Sequence, residues 1–438
     1  MNPTLIHKDT EFFLKEFEKF KGPGNGVLSG IRRDAIDQFS ILGFPTTKHE
    51  EWKYTNVAPI VKNNFQTASN ALSLKEEDIR PFLLTGKDSI RLVFENGRFN
   101  QALSVIPDLA KGVIIGNLAA HCENPLAKEH LAKHASYNQA SFIALNTAFV
   151  NEGAFISIPE SIVLEQTIHL IYVHDTRNAP VIMYPRNLII AGKHSKVKIA
   201  ETYHSIGEIH PGLTNSVTEI VVGENSSVEF DKIQHEHSSS NHISHTEAVQ
   251  AKNSVFSICT VTLGGNVVRN NLHIQLMGEN CETHLNGLYI TQDKQLVDNH
   301  TLVDHAKPNC VSNELYKGIM DDHSQGVFNG KVLVRQDAQK TNAYQSNKNI
   351  LLSDDASINT KPQLEIFADD VKCSHGATTG KLDEEALFYL RSRGIGEQKA
   401  KAFLNIAFAA DVINKIGIES LRDRLMQLIE LRLNKTEN

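Results

Sequence analysis

Residues 222–232 read VGENSSVEFDK, a small-polar corner followed by a strand in which apolar and polar side chains alternate. The same two-part unit stands at 191–201 (AGKHSKVKIAE), 250–260 (QAKNSVFSICT) and 277–287 (MGENCETHLNG). Aligning Ser195, Ser226, Ser254 and Cys281 gives steps of 31, 28 and 27 residues. A unit of this length that is all strand cannot bury both faces by itself, so neighbouring units must stack. The recurring Gly-Glu-Asn-Ser corner favours a β-solenoid with two or more strands per turn over a sandwich, which would space its strands similarly but without the corner. Solenoids leave open ends that must be capped or paired, and the flanking regions are expected to supply the caps.

Three regions follow from the change of period. Residues 1–140 read mainly as helices: Phe13, Phe17 and Phe20 fall at i, i+4, i+7 behind Asp9 and Thr10 as cap candidates, and KGPGNG (21–26) stops the run. DAIDQFSILGFP (34–45) repeats the pattern, whereas IRLVFENGRF (90–99) carries Asn96-Gly97 between apolar arms, a two-residue hairpin signal. From FIALNTAFVNEGAFISIPE (142–160) onward the period changes from helical to two-residue alternation, so residues 141–382 are assigned to the β core. Residues 383–438 are helical again. Asp383 is a plausible N-cap ahead of two glutamates, Arg391, Arg393 and Gly394 close that helix, Phe403, Ala407 and Ala410 share a face of the next, and Leu421, Leu425 and Leu428 of the last. Packing within a small helical domain accounts for these apolar faces, and a docking face is the alternative.

Composition narrows the function classes. The chain has 438 residues, 41% of them hydrophobic and 22% charged, with a formal charge of -7 and no long block of either sign, unlike the basic face of a nucleic-acid binder. No secretion signal opens it and no run approaches the ~20 apolar residues of a membrane helix, so the cytoplasm is the expected location. Five cysteines at wide spacings, with no Cys-x-x-Cys pair, argue against a disulfide framework and a self-contained zinc or four-cysteine cluster site.

Several stretches carry candidate chemistry. VKCSHGATTGK (371–381) resembles a phosphate loop, but only three residues separate Gly376 from Gly380 and Leu382 replaces the magnesium-binding hydroxyl, so no nucleotide is expected on this chain. In QHEHSSSNHISH (234–245), His235, His237, His242 and His245 lie close in sequence; His235 and His237 would share a strand face, but three ligands with a supporting shell are not evident. The pairs Asp321-Asp322, Asp354-Asp355 and Asp369-Asp370 invite comparison with an intracellular β-helix carbohydrate hydrolase or lyase, yet they sit in turn-like contexts where Asp is common for local reasons. Cys373 and His375 are one residue apart, so on an extended segment they face one surface. They are either a buried thiol and a hydrogen-bonded imidazole at the end of the solenoid, or a ligand pair that a facing chain completes.

KCSHGATTGKLDEEALFYLRSRGI (372–395) closely resembles the signature of the SufB/SufD family of iron–sulfur cluster assembly scaffolds. FPTTKHEEWKYTNV (44–57), LVFENGRF (92–99), FIALNTAFVNEGAFISIP (142–159) and PRNLIIAGKHSKVKIAETY (185–203) are also similar to family segments, so the resemblance spans nearly the whole chain. Gly376 stands where the SufB branch carries glutamate, which places the likeness with the SufD branch. The resemblance implies a right-handed parallel β-helix between helical domains, pairing with SufB through the β-helix region, and a SufC ATPase bound by the C-terminal helices, with Phe388, Tyr389, Arg391, Arg393 and Gly394 as candidate contacts. It implies that His375 helps build a transient iron–sulfur cluster at the SufB–SufD interface as a candidate iron ligand, with Cys373 beside it in a less defined role. It places ATP hydrolysis in SufC and associates reduced flavin with the whole complex, although no flavin motif occurs here. A homodimeric scaffold acting without SufB is the alternative within the family.

Overall fold

The computed structural model describes residues 8–20, 27–63, 65–67, 72–84, 89–207 and 209–434; the expected helix stop at 21–26 lies outside them. Among these residues the chain winds into two sheets of eleven and ten strands, parallel except at their first end, each turn of the solenoid adding one strand to each. The ten-stranded sheet runs through Ile168–Asp175, Lys196–Ile206, Ser227–His235, Val255–Thr262, Glu282–Thr291, Val311–Met320 and Asn342–Leu351 to Lys372–Gly380. The eleven-stranded sheet runs through Arg186–Ala191, Gly212–Val222, Asn241–Gln250, Val267–Leu276, Leu296–His305 and Gln325–Val334 to Ser357–Ile366.

The sequence repeat is the turn of this solenoid. Lys196 pairs with Ser227, Ser227 with Val255 and Val255 with Glu282, each one residue beyond the aligned Ser195, Ser226, Ser254 and Cys281. The corner has a defined chemistry. His194, Asn225, Asn253 and Asn280 all adopt φ between 55° and 58°, and Asn309 (φ 62°) and Lys340 (φ 59°) extend the column by two turns. Left-handed backbone is costly for most L residues and mildest for Asn, which explains the Asn in the repeat. The next side chain then closes the corner: the hydroxyls of Ser195, Ser226 and Ser254 donate to the carbonyls of Gly192, Gly223 and Ala251 at 2.6–2.7 Å.

Alternation along the strands sends one set of side chains into a continuous interior. Phe94, Tyr172 and Tyr203 stack there on successive strands with ring centroids 4.7 and 5.0 Å apart. Each buried aromatic of this kind contributes about 1.5–3 kcal/mol of transfer free energy.

The first end of the solenoid is closed by antiparallel strands. Ile90–Glu95 folds back on Arg98–Phe99 through Asn96 (φ 50°) and Gly97 (φ 79°), the expected hairpin, and also pairs in parallel with Ile168–Asp175. Ile114–Asn117 lies antiparallel to Ala154–Ile158 at the start of the other sheet, and the expected alternation begins only there: Ser141–Ala148 is a helix buried on all sides, so its apolar run carries no helical period. Asp9 and Thr10 lie inside the helix Lys8–Lys19 rather than ahead of it. The phenylalanines behind them pack as expected: Phe13 against Phe39, and Phe17 and Phe20 against Phe149. The segment around Trp52 is clamped on the eleven-stranded sheet. The Arg269 guanidinium lies 3.9 Å over the Trp52 ring and donates to Asp298 and to the Glu51 carbonyl, while Trp52 stacks on Phe142.

The C-terminal helices correct two expectations. They do not cap the last turn, because their apolar residues find a wider apolar surface on the flank of the ten-stranded sheet. Val412, Ile413, Ile416, Leu421, Leu425 and Ile429 pack there with Ile233, Val261, Leu288, Ile290 and Ile319. Lys317, buried, reaches out to the Phe408 carbonyl and to the Asp411 carboxylate. The packed face of Glu397–Ile413 therefore holds Ala402, Asn405, Ala409 and Val412, and Phe403 points outward, 42% exposed. Leu421 and Leu425 are buried as their spacing predicts.

Candidate functional site at the open end of the solenoid

The last two strands, Ser357–Ile366 and Lys372–Gly380, each pair on one side only among the described residues. Both sheets therefore finish in unpaired backbone, an edge that templates pairing with another chain unless something covers it. Aromatic surface accompanies it: Phe367, at the corner joining the two strands, is 64% exposed.

Cys373 and His375 sit on this edge. Parallel register places Cys373 beside Ala343 and His375 beside Gln345, both buried interior positions, whereas the intervening Tyr344 is exposed. The two side chains thus continue the interior face into the terminal turn. Cys373 is half-buried against the small apolar cluster of Val334, Ala343 and Ala368. Burial pushes its thiol above the ordinary value, partly offset by a backbone hydrogen bond at Ala343. His375 is exposed. Gly376 and Gly380 have nothing within 4 Å of where a Cβ would stand, so this chain's own packing does not explain them. The arrangement offers an imidazole lone pair and, once deprotonated, a thiolate, from one face of an unpaired strand. Two donors leave most of a metal's coordination to a facing chain.

Behind His375 the register column turns polar, which the sequence reading missed. Leu285, Glu314, Gln345 and His375 occupy one register position on successive strands. Glu314 is enclosed and accepts from Thr301 Oγ1 at 2.6 Å and from Gln345 Nε2 at 2.8 Å. Burial, opposed by those two bonds, pushes its carboxyl up to about 7. Only the register, alternation counted across a turn of about thirty residues, would have exposed it.

The other expected sites resolve as follows. Residues 372–380 form a strand, and an extended backbone cannot build the nest that wraps a phosphate. The clustered histidines separate: His235 ends a strand of the ten-stranded sheet, His237 bonds Ser239, His242 faces the interior with its Nδ1 2.7 Å from Glu236, and His245 lies on the eleven-stranded sheet in contact with His273. The acidic pairs build corners: Asp322 has φ 53°, its carboxylate accepts from the Asp293 amide, and the Asp321 carboxylate accepts from the Asp322 amide.

Helix Glu384–Ser392 begins as expected, with the Asp383 carboxylate accepting from the amides of Glu385 and Ala386, and ends at Gly394 (φ 86°). It buries none of its residues. Phe388 is 74% and Tyr389 57% exposed, and Arg393 lies over the Tyr389 ring.

Comparison with known proteins adds a family to this geometry. Residues 172–408 match the model of the SUF system FeS cluster assembly SufBD core domain, and residues 7–170 match the SufBD protein N-terminal region. A SufBD family iron–sulfur cluster assembly protein of Synechocystis is 36% identical over 99% of this chain and 97% of its own length. The iron–sulfur cluster assembly protein SufD of Escherichia coli is 31% identical over 91% of each chain. SufD of Bacillus subtilis is 26% identical over 98% of this chain and 99% of its own.

Proposed function

The chain belongs to the SufBD family of iron–sulfur cluster assembly proteins, and we propose that within it the chain is a SufD-like scaffold subunit rather than an enzyme. The observation that carries this reading is the pair Cys373 and His375 on the unpaired terminal edge. A SufB-like paralogue completes the open end, pairs strands with it and supplies the principal thiolate. The nascent cluster is cargo held between the two chains. His375 serves as an iron ligand from this side, since a neutral imidazole is competent for iron. Cys373 stands beside it as a second donor or a lining group.

The exposed helix Glu384–Ser392 fits the role of docking surface for a SufC-like ATPase, with Phe388 and Tyr389 as apolar anchors and Arg391, Arg393 and Gly394 around them. Aromatic and arginine side chains are the usual energetic centres of such surfaces. ATP hydrolysis then belongs to the partner. Dimerisation of two ATPases would pull on helices that are packed against the flank of the solenoid, and so strain the edge at Lys372–Gly380. The complex works in the cytoplasm, and any reduced flavin belongs to the assembled complex rather than to this chain. No helix among the described residues is long and apolar enough to cross a membrane.

The test is His375→Ala in the co-expressed complex. Cluster formation, followed by its visible absorption after anaerobic reconstitution, should fall sharply while the subunits still co-purify. Unchanged cluster formation would remove His375 from the mechanism.

A further inference from the structure

The outer face of the eleven-stranded sheet holds a cavity of about 710 Å³ between the sheet and the N-terminal elements. His245, Glu247 and His273 line it, and His134 lines it too. His245 and Glu247 are i and i+2 on Asn241–Gln250 and so project to the same side, and Glu247 is the register partner of His273 on Val267–Leu276. One imidazole Nε2, one carboxylate oxygen and one imidazole Nδ1 therefore converge from two adjacent strands, all within 4.8 Å of one another. The Glu247 carboxylate is 2.8 Å from His245 Nε2 and 3.5 Å from His273 Nδ1.

We propose that His245, Glu247 and His273 form a binding site for one divalent first-row transition-metal ion, with its remaining coordination positions open to the cavity. Two imidazoles and a carboxylate on one face are a donor set that suits ferrous iron or zinc and disfavours calcium and magnesium. Donors bound at about 2.0–2.2 Å to a common ion lie roughly 2.8 to 3.6 Å apart, and the carboxylate stands 2.8 and 3.5 Å from the two imidazoles. The site is supported from outside: Gln275 Nε2 donates to the second Glu247 oxygen at 2.7 Å, fixing the carboxylate as an outer-shell partner does.

Charge argues in the same direction. Glu247 is 4% exposed, and among the described residues its ion-pair partners are those two histidines, with neither lysine nor arginine. A neutral imidazole can carry its proton on the other ring nitrogen, so His245 Nε2 and His273 Nδ1 can turn lone pairs to an ion without leaving a charge unbalanced. The ion then supplies the positive charge that a buried carboxylate requires. This site is on a different sheet from Cys373 and His375, and it stands or falls independently of the scaffold reading.

The experiment uses the full-length chain, freed of any affinity tag and stripped with chelator, titrated anaerobically with cobalt(II) and then with zinc(II) or ferrous iron as competitor. Wild type and Cys373→Ser/His375→Ala should both bind one equivalent of cobalt with visible d–d absorption that the competitors displace. His273→Ala removes a partly exposed side chain with little risk to folding, and it should weaken that equivalent by at least the ~100-fold that losing an outer-shell partner can cost, as should Glu247→Gln. Equal cobalt affinity and spectra in wild type and His273→Ala, or no stoichiometric binding by wild type, would overturn the proposal.

Discussion

Glu314→Gln should make the protein more stable at alkaline pH and change it little at acid pH. Glu314 is fully enclosed in the interior, and its carboxyl is raised from the ordinary 4.5 to about 7 chiefly by desolvation. Because the folded value lies above the unfolded one, the native state holds a proton that the unfolded chain gives up first. The stability contributed by this group is complete below about pH 4.5 and is lost as pH rises through about 7. Each tenfold in proton affinity is about 1.4 kcal/mol, so the whole loss is of order 3 kcal/mol, and between pH 5 and 8 roughly 2–3 kcal/mol of it. Glutamine keeps both contacts: its carbonyl accepts from Gln345 Nε2 and its amide donates to Thr301 Oγ1, so the protonated state is imitated without a titrating group. Urea midpoints of wild type and variant, followed by circular dichroism at pH 5, 6, 7 and 8, give the difference directly, and other titrating groups cancel in the comparison. The variant should lead by under about 1 kcal/mol at pH 5 and by roughly 3 kcal/mol at pH 8. A lead that does not grow with pH, or a variant weaker at pH 8, would refute the reasoning.

Three further outcomes are expected. Phe388→Asp should abolish capture of the ATPase partner in a pull-down while leaving the chain's own melting temperature within error, since that helix buries none of its residues. Phe367→Asp, at the exposed corner of the last turn, should weaken association with the paralogue by about 2 kcal/mol, measured by equilibrium sedimentation, without altering the monomer's circular dichroism. Asn253→Ala should cost about 1–2 kcal/mol in denaturant unfolding and Asn253→Gly should cost less, because φ is 56° there and alanine resists the left-handed region.

The solenoid is readable in the sequence because its corner makes chemical demands. A left-handed residue followed by a hydroxyl that closes the turn selects Asn-Ser, and that pair marks the period at Asn225-Ser226 and Asn253-Ser254. Later corners keep the left-handed residue with Asn309-Cys310 and Lys340-Thr341, and Thr341 again closes the turn with its hydroxyl, so the repeat fades in the sequence while the structure continues. Cys373 and His375 are readable as a facing pair because strand geometry fixes i and i+2. What stays hidden depends on register between turns. Glu247 meets His273 across twenty-six positions of sequence, and Glu314 meets Gln345 across thirty-one, so neither pairing has a local signature. The packing of the C-terminal helices is hidden for another reason. Apolar residues lie on more than one face of Glu397–Ile413, and only the solenoid flank decides that Ala409 and Val412 are covered and Phe403 is not.

The central claim is that the open end is completed by a second, different chain. Anaerobic isolation of the tagged protein from its own cells, followed by native mass determination, tests it most directly. The account predicts one SufB-like paralogue and two ATPase chains with each copy, and a reduced share of the paralogue in Phe367→Asp. Recovery of the chain by itself, or only as a dimer of identical copies, would contradict it.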